Sequence, residues 1–151
     1  MILCVTTDIR CLNQTSIIQK LQRVQNNAAR IVFQMPRRSY AKPLLHSLHW
    51  LPVDQGIIYK MAVVTFKVQR TTTPAYLSRH LQGNYVRNLR SSDTSLLCQP
   101  FTKTDLVRRG FLYSAPAVWN SLPRTVLVSP SITVFESRVK THLFDLAHTK
   151  Q

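Results

Sequence analysis

The stretch Thr15-Ser-Ile-Ile-Gln-Lys-Leu-Gln-Arg-Val-Gln-Asn-Asn-Ala-Ala-Arg-Ile-Val-Phe-Gln-Met-Pro36 decides the fold class. Its apolar residues Ile17, Leu21, Val24, Ala28, Ile31 and Met35 recur in alternating steps of four and three, the spacing that keeps side chains on one stripe of a helix. Thr15 or Ser16 supplies a short oxygen for the free N–H groups of the first turn, and Pro36 ends the helix. Lys20, Arg23, Asn27, Arg30 and Gln34 follow the same steps and flank the apolar seam. A heptad-spaced seam packs on the chain's own core or on a helix of another chain, and the period does not choose between them.

Outward from this helix, Lys42 to Pro52 reads as one and a half helical turns opened by Pro43 and closed by Pro52. Ile57, Met61, Val64 and Val68 then repeat at four, three and four, which predicts a second helix over 57–69, with Lys60 and Lys67 one heptad apart on another face. Thr73-Pro74 opens a short helix that Gly83 closes. From Asn84 to about Leu112 the period disappears, which predicts an extended or weakly β segment. Ala115 to Pro123 reads as a short helix anchored by Trp119. The last helix starts at Ser131 or at Thr133, the latter forming a capping box with Glu136, and aligns Phe135, Val139, Leu143 and Leu146. The fold class is therefore mainly α: a small helical domain over 15–146 with an irregular, weakly β middle, a lead-in at 1–14 and a tail at 147–151.

Charge narrows the function. Twenty Lys and Arg against six Asp and Glu leave a net charge of +14 in 151 residues, a balance typical of chains that meet nucleic acid or an anionic membrane. Between Asp8 and Asp54, and again between Asp54 and Asp93, thirteen cations occur without an acid. Such charges repel one another until a polyanion neutralises them. The residues that point to phosphate contacts are Lys20, Arg23, Arg30, Arg37, Arg38, Lys60 and Lys67. Tyr40, Tyr59, Tyr76, Tyr85, Phe101, Tyr113 and Trp119 are interleaved with the cations and could stack on unpaired bases, although packing is the commoner role of large aromatics.

Catalytic chemistry is poorly supplied. The closest two acids, Glu136 and Asp145, lie nine positions apart, so no local carboxylate pair is available for two-metal phosphoryl transfer. No Gly-x-Ser-x-Gly turn is present. His46 and His49 have the spacing of two ligands on one helical face but lack a second close pair, so neither a metal nor a cofactor is expected. Cys4, Cys11 and Cys98 are odd in number and have no C-x-x-C spacing. The apolar opening Met1-Ile-Leu-Cys-Val5 reaches Asp8 too soon for a signal peptide or a membrane span, so the expectation is an intracellular chain that is not membrane-embedded, whose frame starts inside a larger ancestral protein.

Six ordered blocks carry a resemblance: Lys20 to Val32, Leu45-His-Ser-Leu-His-Trp-Leu-Pro-Val53, Pro74-Ala-Tyr-Leu77, Leu89-Arg-Ser-Ser-Asp93, Ala115-Pro-Ala-Val-Trp-Asn-Ser-Leu-Pro123 and Phe135 to Phe144. In this order they resemble the C-terminal tail after the reverse transcriptase domain in polyproteins of LINE-type non-LTR retrotransposons. The resemblance implies a parent RNA-directed DNA polymerase whose endonuclease and polymerase domains precede this region. The polymerase's paired-aspartate signature has no match here, so the resemblance assigns no catalytic residue to this chain. Its implied partners are RNA or single-stranded DNA and the parent polymerase domain. The alternative expectation is a structural segment that packs on that parent or on another copy, or a relic, with no independent activity.

Overall fold

The structure, a computed structural model, describes residues 15–82, 96–101, 103–104 and 110–149. Among them are seven helices and no strand: α1 (Thr15–Val32), α2 (Ala41–Ser47), α3 (Val53–Thr71), α4 (Ala75–Gln82), α5 (Phe111–Ser121), α6 (Arg124–Leu127) and α7 (Ile132–Thr149). The mainly α reading holds. The lead-in, residues 83–95, 102 and 105–109 and the last two residues of the tail lie outside the described residues, and with them Gly83, Tyr85, the block Leu89 to Asp93, Cys4, Cys11 and the cations Arg10, Arg87 and Arg90.

The core forms around α3, which packs along α7 and α5. Ala62, Val63, Phe66 and Val68 of α3 meet Ala115, Val118 and Trp119 of α5 and Phe135, Val139 and Leu143 of α7, all buried. At its centre the Phe135 ring stacks on Phe66 with centroids 4.3 Å apart and on Trp119 at 5.9 Å. Such offset pairs add about 1 kcal/mol each beyond the area they bury. Leu97, from the stretch expected to be irregular, also enters this core. The Asn120 side chain holds it there, accepting from the Leu97 N–H at 3.0 Å and donating to its carbonyl at 2.7 Å. One side-chain amide thus supplies both bonds that a neighbouring strand would have given.

Several boundaries move from their sequence positions. The second long helix starts at Val53 rather than Ile57, and its first-turn Asp54 lies where the helix dipole favours a negative charge. Helix α5 starts at Phe111, so Pro116 lies inside it and not near its opening. At the start of α7 the cap is Ser131: its hydroxyl accepts from the Val134 N–H at 3.4 Å, while Glu136 turns toward Lys67 instead of closing a capping box with Thr133. Helix α7 continues to Thr149, through three residues of the stretch read as a tail.

The larger departure is in α1. Its apolar seam faces solvent: Ile17 and Leu21 are each 50 % exposed, Val24 66 % and Ile31 76 %. The face that packs is the one with the amides. Gln25 donates to the Leu51 carbonyl at 2.8 Å, and Gln22 accepts from the Val53 N–H at 2.9 Å, tying α1 to the start of α3. Ala29, fully buried, and Leu45 of α2, nearly so, add a small apolar contact on this side. The heptad-spaced stripe is therefore not the core-facing side of the helix.

Candidate nucleic-acid interface

The site grows from the way α1 ends. Gln34 adopts a left-handed conformation, φ 52°; its N–H donates to the Ile31 carbonyl at 3.1 Å and the Met35 N–H reaches back to the Arg30 carbonyl at 2.9 Å. This is a Schellman closure with Gln in the position where Gly is common. The helix thus stops before Pro36, and a tight turn follows in which the Ser39 N–H donates to the Pro36 carbonyl at 2.9 Å. That turn places Arg37 and Arg38 at its exposed corner. The chain then passes Tyr40 into the first turn of α2, where Lys42 sits.

Between α1, this turn and α2 lies an open cleft of about 540 Å³, and Arg30, Arg38 and Lys42 line it together with Gln22, Asn26 and Tyr40. No acid is among its lining residues. Gln22, Asn26 and Arg30 recur every four positions, so the cleft lies on the side of α1 away from the apolar seam. Arg30 is held in place: its Nε donates to the Ser39 carbonyl at 3.0 Å and its Nη1 to Asn27 Oδ1 at 2.9 Å. A guanidinium has five N–H donors, and a planar fork fixed in this way suits a phosphate better than a freely rotating one. Tyr40 is 81 % exposed at the cleft edge, a large apolar ring with nothing of its own chain over most of its surface.

The other residues expected to meet phosphate are divided. Lys20, Arg23 and Arg37 are exposed but do not line the cleft. Lys60 and Lys67 lie on α3, also outside it. Lys67 Nζ is 4.0 Å from Glu136 Oε1, so folding gives one of the cations without a nearby acid in sequence a counter-ion from α7. Arg70, in the same run, has a structural role: it donates to the Ser129 carbonyl at 3.2 Å and lies 5.4 Å above the Phe66 ring. Among the aromatic candidates Trp119 is buried, whereas Tyr76 and Phe101 are exposed away from the cleft. Lys42 was absent from the expected set. Its signal was the run Arg37-Arg38-Ser-Tyr-Ala-Lys42, three cations and an aromatic within six positions.

The two histidines do not share a helical face. His49 lies beyond the end of α2, left-handed at φ 53°, and both imidazoles instead surround Phe144 of α7, with ring centroids 5.1 Å away for His46 and 5.6 Å for His49. His148 completes the group, 4.4 Å from Phe144 and 4.8 Å from His46. Burial, then electrostatic interaction with His46 and Lys42, hold the His148 imidazole below its ordinary pKa. Among the described residues no three His, Cys, Asp or Glu side chains are grouped to hold a metal ion. Nor is any described helix long and apolar enough to cross a membrane.

Compared with known proteins, the chain matches no family model, no curated protein and no solved structure.

Proposed function

We propose that this chain binds single-stranded nucleic acid through its phosphates, without catalysis of its own, as the tail of a retrotransposon-type reverse transcriptase would. The convergence of Arg30, Arg38 and Lys42 on one acid-free cleft, beside the exposed ring of Tyr40, is the observation that supports this reading. Phosphates would meet the three cations, Arg37 and Arg23 would extend the path, and a base would stack on Tyr40. Lys20 lies at the margin of this surface, and Lys60 and Lys67 contribute only long-range attraction. Contacts of this kind ignore base edges, so binding has little sequence preference.

Salt titration of the chain on single-stranded RNA and DNA tests the reading. With four to six cations engaged, the log-log slope of affinity against salt is roughly −3 to −4. The triple replacement Arg30→Gln, Arg38→Gln and Lys42→Gln flattens that slope and lowers affinity at least tenfold, while replacing Lys60 and Lys67 changes it little. A flat salt response in the unaltered chain, or equal losses from both sets of variants, counts against the cleft.

A second reading is favoured by a separate observation, the exposed seam of α1: the chain is an interaction segment that docks on another protein, such as a parent polymerase. The two readings use opposite sides of α1 and are compatible.

A further inference from the structure

Helix α1 is amphipathic in the reverse sense, its amide face bonded to its own chain and its aliphatic face left open. At about 1.5 Å per residue the seam runs roughly 21 Å along this helix, made of Ile17, Leu21, Val24, Ala28 and Ile31 at heptad spacing. Exposed Val32 and Met35 continue the apolar surface past its end. Monomeric proteins seldom leave a continuous aliphatic stripe of this length in water. The seam has a notch: Ala28 lies between the larger Val24 and Ile31, the relief into which a side chain from a facing helix can insert. Lys20 is exposed on one border, a helical turn from Ile17 and Val24, whereas Arg23 lies further round toward Arg30, and α1 contains no acid.

Resting on the interaction-segment reading, we propose that this seam is a docking surface for an acidic amphipathic helix of another protein, with leucine-like residues in the seam and Glu or Asp along the border that faces Lys20. Charge selects this occupant over a second copy. Two copies would each bring a net charge of +14, and antiparallel pairing would set the Lys20 border against itself. Heptad spacing and the Ala28 notch select a helix over a bilayer. A bilayer imposes no register and gains nothing from the Ala28 notch.

The test uses the full chain and two synthetic 21-residue peptides with Leu at every seam position, one flanked by Glu and the other by Lys. The Glu peptide binds with one-to-one stoichiometry and gains helical circular dichroism, and the Lys peptide binds at least tenfold more weakly. Leu21→Gln with Ile31→Gln lowers affinity for the Glu peptide tenfold or more while leaving the circular dichroism of the chain and its RNA binding unchanged. Lys20→Glu narrows the preference for the Glu peptide. Equal affinity for the two peptides, or binding that survives the Gln replacements, overturns the proposal. So does low-micromolar self-association, or binding to phosphatidylserine vesicles, that the Gln replacements abolish while neither peptide binds. In those last two cases the seam is still an interaction surface and only the acidic helix is lost; if the Gln replacements alter no binding at all, the interaction-segment reading falls as well.

Discussion

Helices α1 and α7 have the same length, eighteen residues each, and both have an apolar stripe at heptad-like spacing, yet the fold treats them in opposite ways. In α7 the stripe is the core as far as Leu143: Phe135 and Val139 are fully buried and Leu143 is 2 % exposed, and only Leu146 at its end reaches solvent. In α1 the corresponding stripe is open and glutamines make the contacts. The difference lies in what each helix meets. Helix α7 lies along α3, opposite Phe66 and near Trp119, whereas α1 meets mainly short α2 and the first residues of α3, where the Leu51 carbonyl and Val53 N–H need polar partners. A buried backbone group without a partner costs about 1–3 kcal/mol, so the amide face satisfies that junction better than a leucine face.

The largest expected effect comes from truncating each stripe in turn. Phe135→Ala removes the ring stacked between Phe66 and Trp119 and destabilises the fold by about 3–5 kcal/mol, enough to unfold a marginal domain. Leu21→Ala and Ile31→Ala, at exposed positions, cost less than about 1 kcal/mol each. Chemical denaturation of the three variants gives the comparison directly. If Leu21→Ala proves as damaging as Phe135→Ala, the seam is buried in the isolated chain and the contrast between the two helices fails.

A smaller effect sharpens the contrast at α1. Gln34 holds a left-handed conformation that a side chain disfavours, so Gln34→Gly stabilises the chain by about 0.5–1 kcal/mol, read as a higher denaturation midpoint. No gain would mean that the closure of α1 is not strained.

The smallest effect concerns the junction where α7 reaches α2. His148 binds its proton less readily in the folded chain than in the unfolded one, so the unfolded state takes up more protons as the pH falls. Stability is full above the ordinary histidine pKa of about 6.5, declines as pH falls through that value toward the lower folded pKa, and levels off below it. The group faces His46, Phe144 and Lys42. Melting temperatures between pH 7.5 and 5 should fall in the native chain, and His148→Gln should flatten part of that slope. An unchanged slope in the variant would place the pH response elsewhere.

The sequence by itself determined the helices and where their apolar stripes lie, because the 3.6-residue period is a local property of the backbone. It also determined the cationic excess, and it brought Arg37, Arg38 and Lys42 close together through a turn that local residues build. Tertiary structure alone decided which stripe was covered, since burial depends on the element opposite and not on the stripe. It decided, too, which cations remained available: Arg30 and Arg38 meet at a cleft because α2 folds back against α1, while Lys67 finds Glu136 and Arg70 finds Ser129 from distant parts of the chain. Periodicity is written in neighbours along the chain, and partnership is not.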